Sequence, residues 1–460
     1  MENLGVLSVV IPVLIIVVAI VTKNVVVSLL LGIVFGEFVI HDFHVVESMV
    51  ALSHRVVDLF SEAWIIKTIL FALFVGSIIR LITDSGGVNG FIEFISKKEK
   101  NIDSPKGALL LAYFLGIVIF IESSITSLVA GTVAKPLCDK NGVSREKLAF
   151  VCDSTSAPVC SLIPLNAWGA LLLGLIATAI GANVISGDKM SLLVNAIAFN
   201  FYSIITVIFV LLVILFDINI GSMRYAKPHK LELNPKVEHQ NKSPLLMILP
   251  IVVLIFSVPL FLYITGDGDI LKGSGSSSVF YSVVTTLVFI FIYFVLGGHM
   301  KAKDYFVSLY RGVLDMIPIT IILVLAFMIG SVIKDLGTAN YLSDIIKEAH
   351  LSPVVLPAII FLVASITSFS TGTSWGTFSI MMPIALSLGA TFDIYLPLMI
   401  GAVISGGIFG DHVSPVSDTT IISSMASGCN HISHVKTQMP YALISALLAF
   451  ILYLIFGFIL

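Results

Sequence analysis

The residues of this chain best suited to chemistry stand in one stretch, Gly406-Gly407-Ile408-Phe409-Gly410-Asp411-His412-Val413-Ser414-Pro415-Val416-Ser417-Asp418-Thr419-Thr420. It places three glycines, a proline, two carboxylates and four hydroxyls within sequence otherwise apolar enough to cross a membrane. Hydrocarbon solvates neither a carboxylate nor backbone left unpaired at a Gly or Pro break, so such groups persist there only around a polar cavity or a bound ion. A shorter echo, Cys152-Asp153-Ser154-Thr155-Ser156-Ala157-Pro158, lies in the first half of the chain. The pairing predicts that each half supplies one wall of a shared site.

An unpaired ionised Asp in hydrocarbon costs several kcal/mol, so Asp153, Asp411 and Asp418 must each be paired, protonated or ion-bound. A carboxylate that a proton or a cation can neutralise, but not both together, exchanges one for the other. Sodium is a hard cation that takes oxygen ligands, and Ser154, Thr155 and Ser414 stand beside these aspartates. Asp153 and Asp411, the repeated pair, are therefore assigned to sodium. Asp418 also fits the N-cap of a half-helix, and both readings stand.

Further candidates lie at other interruptions. Thr126-Ser127 and Thr373-Ser374 bring hydroxyls into apolar segments, and Glu122 opens the first of these breaks as a proton carrier or substrate contact. Asn166 follows Pro164 and either lines a pathway or satisfies broken backbone. His412 reads as a protonation gate or as a hydrogen-bonded interhelical residue. Trp168 and Trp375 read as packing residues. Cys429, His431 and His434 lie close together, but beside Lys436 on what reads as a short solvated cytoplasmic connection and not a zinc site.

The elements that must position these groups are membrane spans. Hydrophobic residues make up 57% of the chain and charged residues 12%, against about a quarter charged in a soluble domain, and the mean hydropathy is +1.06. Apolar segments run over 5–22, 25–40, 65–83, 107–138, 148–181, 190–216, 245–264, 279–297, 312–333, 352–389, 394–426 and 440–459, many of them near the ~20 residues needed to cross a bilayer. The first lacks a basic leader and a small-residue cleavage site, and reads as a retained span. Between His44 and Trp64, apolar residues at helical spacing alternate with charge as in an interfacial amphipathic helix. A net charge of −3 without a basic run excludes a nucleic-acid partner. The four cysteines suggest no disulfide framework.

Two halves are legible. Ala72-Leu-Phe-Val-Gly76-Ser-Ile-Ile-Arg80 matches Ala326-Phe-Met-Ile-Gly330-Ser-Val-Ile-Lys334, and Gly86, Asn89, Thr126-Ser127 and Pro136 recur in order as Gly337, Asn340, Thr373-Ser374 and Pro383. The polar interval between the halves carries Arg224 and four lysines and reads as a cytoplasmic linker. The loop bearing Lys97, Lys98, Lys100 and Lys106 corresponds to one in which Lys334 and Lys347 are offset by Asp335, Asp344 and Glu348, which places the two loops on opposite sides. The expected fold class is an all-α polytopic membrane protein of two inverted repeats, each of five spans plus one re-entrant hairpin, with discontinuous helices. The divisions are 1–216 (hairpin about 107–138, broken helix about 148–181), linker 217–243, and 244–460 (hairpin about 352–389, broken helix about 394–426).

At Gly410 to Thr420, and again at Gly428-Cys429-Asn430-His431-Ile432-Ser433-His434-Val435-Lys436-Thr437-Gln438-Met439-Pro440-Tyr441-Ala442-Leu443, the sequence resembles the NhaC-type sodium/proton antiporter family. Cys152 to Pro158 and Ser374-Trp375-Gly376-Thr377 are similar to other segments of that family, and the likeness extends from about residue 65 to the end. It departs at Asn430 and Ser433, where many members carry acids. The resemblance implies a secondary transporter of the ion-transporter superfamily exchanging sodium for protons by alternating access. Relatives that exchange organic acids such as malate for lactate, or carry amino acids with sodium, keep a small metabolite open as substrate.

The expected setting is a bacterial or archaeal inner membrane, with no cofactor beyond the sodium ion and with homodimerisation open. The chain has no His-Glu-x-x-His or Walker loop, which argues against an enzyme or an ATP-driven pump.

Overall fold

The computed structural model describes residues 5–460 apart from 23, 89, 92–93, 95–103, 121–122, 165, 229–242, 269–272, 339–340, 342–351 and 416. Glu122, the repeat positions Asn89 and Asn340, most loop charges used to orient the halves and most of the linker lie outside the described residues. Among those residues every regular element is helical. The first half holds α1 (Leu7–Thr22), α2 (Val25–Ile40), α3 (Val45–Ser61), α4 (Ala63–Asp84), α5 (Pro105–Val118), α6 (Ser123–Lys140), α7 (Arg145–Ser154), α8 (Ala157–Leu162), α9 (Ala167–Gly181), α10 (Lys189–Ile197) and α11 (Phe201–Leu215). The second holds α12 (Leu245–Thr265), α13 (Gly275–Ile290), α14 (Ala302–Asp335), α15 (Leu356–Thr371), α16 (Ser374–Thr391), α17 (Leu396–Val413), α18 (Asp418–Ser427) and α19 (His431–Ile459). Among the described residues, eight helical segments are long and apolar enough to span a bilayer, and four shorter ones are apolar. The chain is a multi-pass membrane protein.

Local sequence sets the helix ends. Ser104 accepts from the Gly107 amide with Pro105 opening α5, Ser144 caps α7, Asp188 caps α10 and Asn430 caps α19 through the Ser433 amide. Gly372 and Gly428 end α15 and α18 with φ of 68° and 72°, a left-handed conformation that costs glycine nothing.

The breaks are narrower than their hydroxyl content suggests. Of the interruption expected over Glu122–Ser127, residues 123–127 are helical and open α6, while α5 ends at Val118. Thr126 Oγ1 donates to the Ile119 carbonyl, one of the groups left over where α5 stops. The interruption expected over Ser365–Ser374 shrinks to Gly372-Thr373 because Ser365, Thr367 and Thr371 donate to carbonyls one turn back and stay helical. The expected span 190–216 is divided at Ala198–Asn200 into α10 and α11. The last span begins at His431 and not at 440, because the carbonyl of Lys436, which Pro440 cannot serve, accepts from Ser222 Oγ at 3.3 Å.

Packing brings the halves together. A Cβ on Gly312 would lie 2.5 Å from the Gly76 carbonyl, so α4 and α14 cross at backbone contact. Gly406 and Gly410 let α17 press in the same way on α15 at Phe361 and Ser365. Helix α3 is amphipathic as expected, exposing Val45, Val46, Val57 and Phe60. From its other face Arg55 reaches Glu37 of α2 at 2.5 Å and Ser331 and Asp335 of α14 at 2.6 and 3.0 Å.

Candidate functional site

Helix α7 stops at Ser154 and α17 at Val413, each in a turn rich in Ser, Thr and Pro that an apolar environment alone would not stabilise. Asp153 and Asp411 both occupy the last turn of their helix, at 0% and 2% exposure. Unpaired carbonyls make that end the negative pole of a helix, and a carboxylate adds to it, so each site draws a cation.

Asp153 is held from the opposite half of the chain. Its Oδ2 accepts from Gln438 Nε2 at 2.8 Å and lies 3.2 Å from His434 Nε2. Both partners are on α19, four residues apart and hence on one helix face. Gln438 Nε2 also donates to the His412 carbonyl, which ties Asp153 to the residue after Asp411. The His412 ring is fixed by Ser154 Oγ at 3.0 Å and the Tyr202 hydroxyl at 2.6 Å.

Asp411 Oδ2 accepts the Ser374 hydroxyl at 2.5 Å, and the Ser374 amide lies 3.3 Å away. The break between α15 and α16 therefore meets the break between α17 and α18. Ser368 Oγ donates to the Gly407 carbonyl at 2.6 Å and secures that contact.

Neither carboxylate forms an ion pair with Lys or Arg among the described residues, and His434 is the one basic side chain within salt-bridge distance of Asp153. Asp153 Oδ1, Asp411 Oδ1, Gln438 Oε1 and Thr420 Oγ1 are buried without a hydrogen-bond partner among those residues. Buried acceptors are rarely left so, and oxygens of this kind suit a bare alkali cation.

The remaining candidates divide. Ser154 joins the network through His412, and Ser127 accepts from Ser423 Oγ of α18 at 3.1 Å. Thr155 Oγ1 is spent on the Val151 carbonyl, Ser414 Oγ donates to the Phe369 carbonyl, and Thr373 gives its carbonyl to Thr377 Oγ1. Asn166 works as structure: it caps α9 by accepting from the Trp168 and Gly169 amides and donates to the Phe120 and Cys160 carbonyls. Asp418 is exposed and accepts the Thr419 amide at the start of α18. Trp168 and Trp375 pack together with ring centroids 5.4 Å apart.

One expectation is corrected. His434 does not lie on a solvated connection; it is fully buried, because Asn430 starts α19 early enough to carry it inward, and His431 Nε2 lies 2.7 Å from the Pro415 carbonyl. Gln438 and Tyr202 were not among the expected site residues. The signal available for Gln438 was its spacing of four from His434, which puts the two on one face if the segment is helical.

Comparison with known proteins follows the same outline. Residues 159–458 match the model of the Na+/H+ antiporter family. An uncharacterized protein of Haemophilus influenzae is 34% identical over 98% of this chain and 91% of its own length. The malate-2H(+)/Na(+)-lactate antiporter of Bacillus subtilis is 30% identical over 36% of this chain and 36% of its own. Among solved structures, Neisseria gonorrhoeae MtrF, described with a class of antimetabolite efflux pumps, shares the fold with a TM-score of 0.56 and 14% identity, over 89% of this chain and 84% of that one.

Proposed function

The chain belongs to the Na+/H+ antiporter family, which makes it a secondary transporter and not an enzyme, and from that premise we propose that it expels sodium in exchange for protons across a prokaryotic cytoplasmic membrane. One observation carries the proposal. Two buried carboxylates from opposite halves, Asp153 and Asp411, have no Lys or Arg partner among the described residues, each keeps an oxygen without a donor there, and Gln438 ties Asp153 to the carbonyl of His412, the residue after Asp411. Proton and sodium compete for that oxygen, since either neutralises the charge and neither leaves room for the other. Residues 1–216 and 244–460 act as inverted halves joined by the linker 217–243, and they rock about the site so that it faces one side at a time. The early break (α7, α8, α9) and the late one (α17, α18) support this division.

Sodium added to everted membrane vesicles should collapse an imposed pH gradient, and Asp411→Asn should abolish the response while the protein still inserts. An undiminished response would dispose of the assignment. A second reading, sodium-coupled movement of a small organic acid, is favoured by the resemblance to the Bacillus subtilis malate-2H(+)/Na(+)-lactate antiporter. Sodium-dependent uptake of labelled malate or lactate would decide for it.

A further inference from the structure

The orientation of one side-chain amide goes further than the reading above, on which it rests. Gln438 is fully buried, and its Nε2 position contacts Asp153 Oδ2 at 2.8 Å and the His412 carbonyl oxygen. A backbone carbonyl can only accept, so the amide atom facing it must be the nitrogen, and the other end of the amide is the oxygen. Oε1 is thereby turned away from both partners, and it is buried with no donor among the described residues.

Asp153 repeats the pattern. Its Oδ2 already faces Gln438 Nε2 and His434 Nε2, while Oδ1 is buried and has no donor among the described residues. Two acceptor oxygens, one of a carboxyl and one of an amide, are thus left without a donor among the described residues, on side chains joined to each other by a hydrogen bond. We propose that Gln438 Oε1 is, with Asp153 Oδ1, a direct ligand of the transported alkali cation, and that Gln438 sets the affinity for it. The same amide then has two tasks: its nitrogen bridges the broken helix α7 to the end of α17, and its oxygen completes the coordination.

Substitutions that separate the two tasks provide the test. Gln438→Leu removes both, whereas Gln438→Glu keeps an oxygen for the cation but cannot, as a carboxylate, donate to Asp153 or His412. The probes are sodium chloride against choline chloride, read as the sodium-dependent rise in thermal midpoint of the detergent-purified protein and as sodium-driven proton flux in proteoliposomes. Gln438→Leu should raise the half-saturating sodium concentration about tenfold, the scale of one lost contact to a charged group, and Gln438→Glu should restore it to near the wild-type value. Equal impairment in both variants would reduce Gln438 to a bridge and overturn the proposal. No change in either would overturn it too, leaving an ordered water at Oε1. If Gln438→Leu does not accumulate in membranes, Gln438→Asn takes its place: it keeps the chemistry but withdraws the oxygen by one methylene, and must alter the preference between sodium and lithium, an unaltered preference counting against the ligand role. Sodium-dependent stabilisation of the wild type without proton flux would defeat the exchange reading and leave the ligand assignment to be judged on the thermal shift. Neither signal in the wild type would defeat both.

Discussion

Ser374 gives its hydroxyl proton to Asp411 across 2.5 Å, so the first residue of α16 holds the carboxylate that ends α17. A serine hydroxyl has one proton, and the nearer carboxyl oxygen takes it in preference to the Gly407 carbonyl at 3.2 Å. Ser374→Ala would strip Asp411 Oδ2 of its nearest donor inside a buried site, at a cost of about 1–3 kcal/mol. The expected result is slower sodium-driven proton flux in everted vesicles with little loss of inserted protein. Flux equal to the wild type would show that the contact does not matter to the site.

Asn166 is predicted to matter for stability. Its amide serves four backbone groups around the break before α9, two amides and two carbonyls, at distances from 2.8 to 3.1 Å. Asn166→Ala orphans all four in a place with little access to water, and loss of a helix cap alone costs about 1 kcal/mol. The thermal midpoint of the purified protein should fall by several degrees. Asn166→Asp, which keeps the cap but loses both donors, should fall between the two; a midpoint unchanged in Asn166→Ala would refute the assignment.

What the sequence made legible follows from the range over which each signal acts. Spans are written in composition, and the broken helices in Gly, Pro and Asp clusters, so the polar turns after Asp153 and Asp411 could be placed from the chain alone. The limits of the breaks could not, because Ser365, Thr367 and Thr371 satisfy themselves within α15 in a way that hydroxyl content does not reveal. Pro440 suggested a helix start and was instead accommodated by Ser222. The two partners of Asp153 were hidden for a related reason. His434 and Gln438 lie more than 280 residues from it in the chain, and a histidine next to a lysine reads as solvent-facing until the helix carrying it is known to turn inward.

Arg55 offers a test of the outer part of the fold. From the amphipathic helix α3 it pairs with Glu37, 1% exposed in α2, and with Asp335 at the end of α14. Arg55→Ala leaves the Glu37 carboxylate buried with His41 Nδ1 at 3.5 Å as its remaining ion partner among the described residues, and breaking a buried pair from one side costs about 3–5 kcal/mol. A large fall in thermal midpoint is expected. Arg55→Lys should recover only part, since an ammonium cannot span Glu37, Ser331 and Asp335 together. Adding Glu37→Gln to Arg55→Ala should restore much of the loss; a double variant less stable than the single would show that the fold depends on Arg55 through contacts other than Glu37.

Asp217 supplies a pH dependence that can be measured apart from transport. It lies past the end of α11, and the hydrogen bond from the Lys147 ammonium at 2.5 Å holds its carboxyl below the usual range, burial opposing the shift. A carboxyl more acidic in the folded protein than in the unfolded chain stabilises the fold above its ordinary pKa, near 4, and loses that contribution as pH falls through the lowered value. Lys147 is buried while Asp217 is 70% exposed, so solvent screening keeps the effect of Asp217→Asn under about 1 kcal/mol at neutral pH. Wild type and variant should therefore differ by a small, constant margin in thermal midpoint between pH 7 and about 5, and the margin should shrink progressively as pH falls below about 4. A margin that persists unchanged into acid would mean that Asp217 acts by its shape and its hydrogen bond to Asn219 and not by its charge.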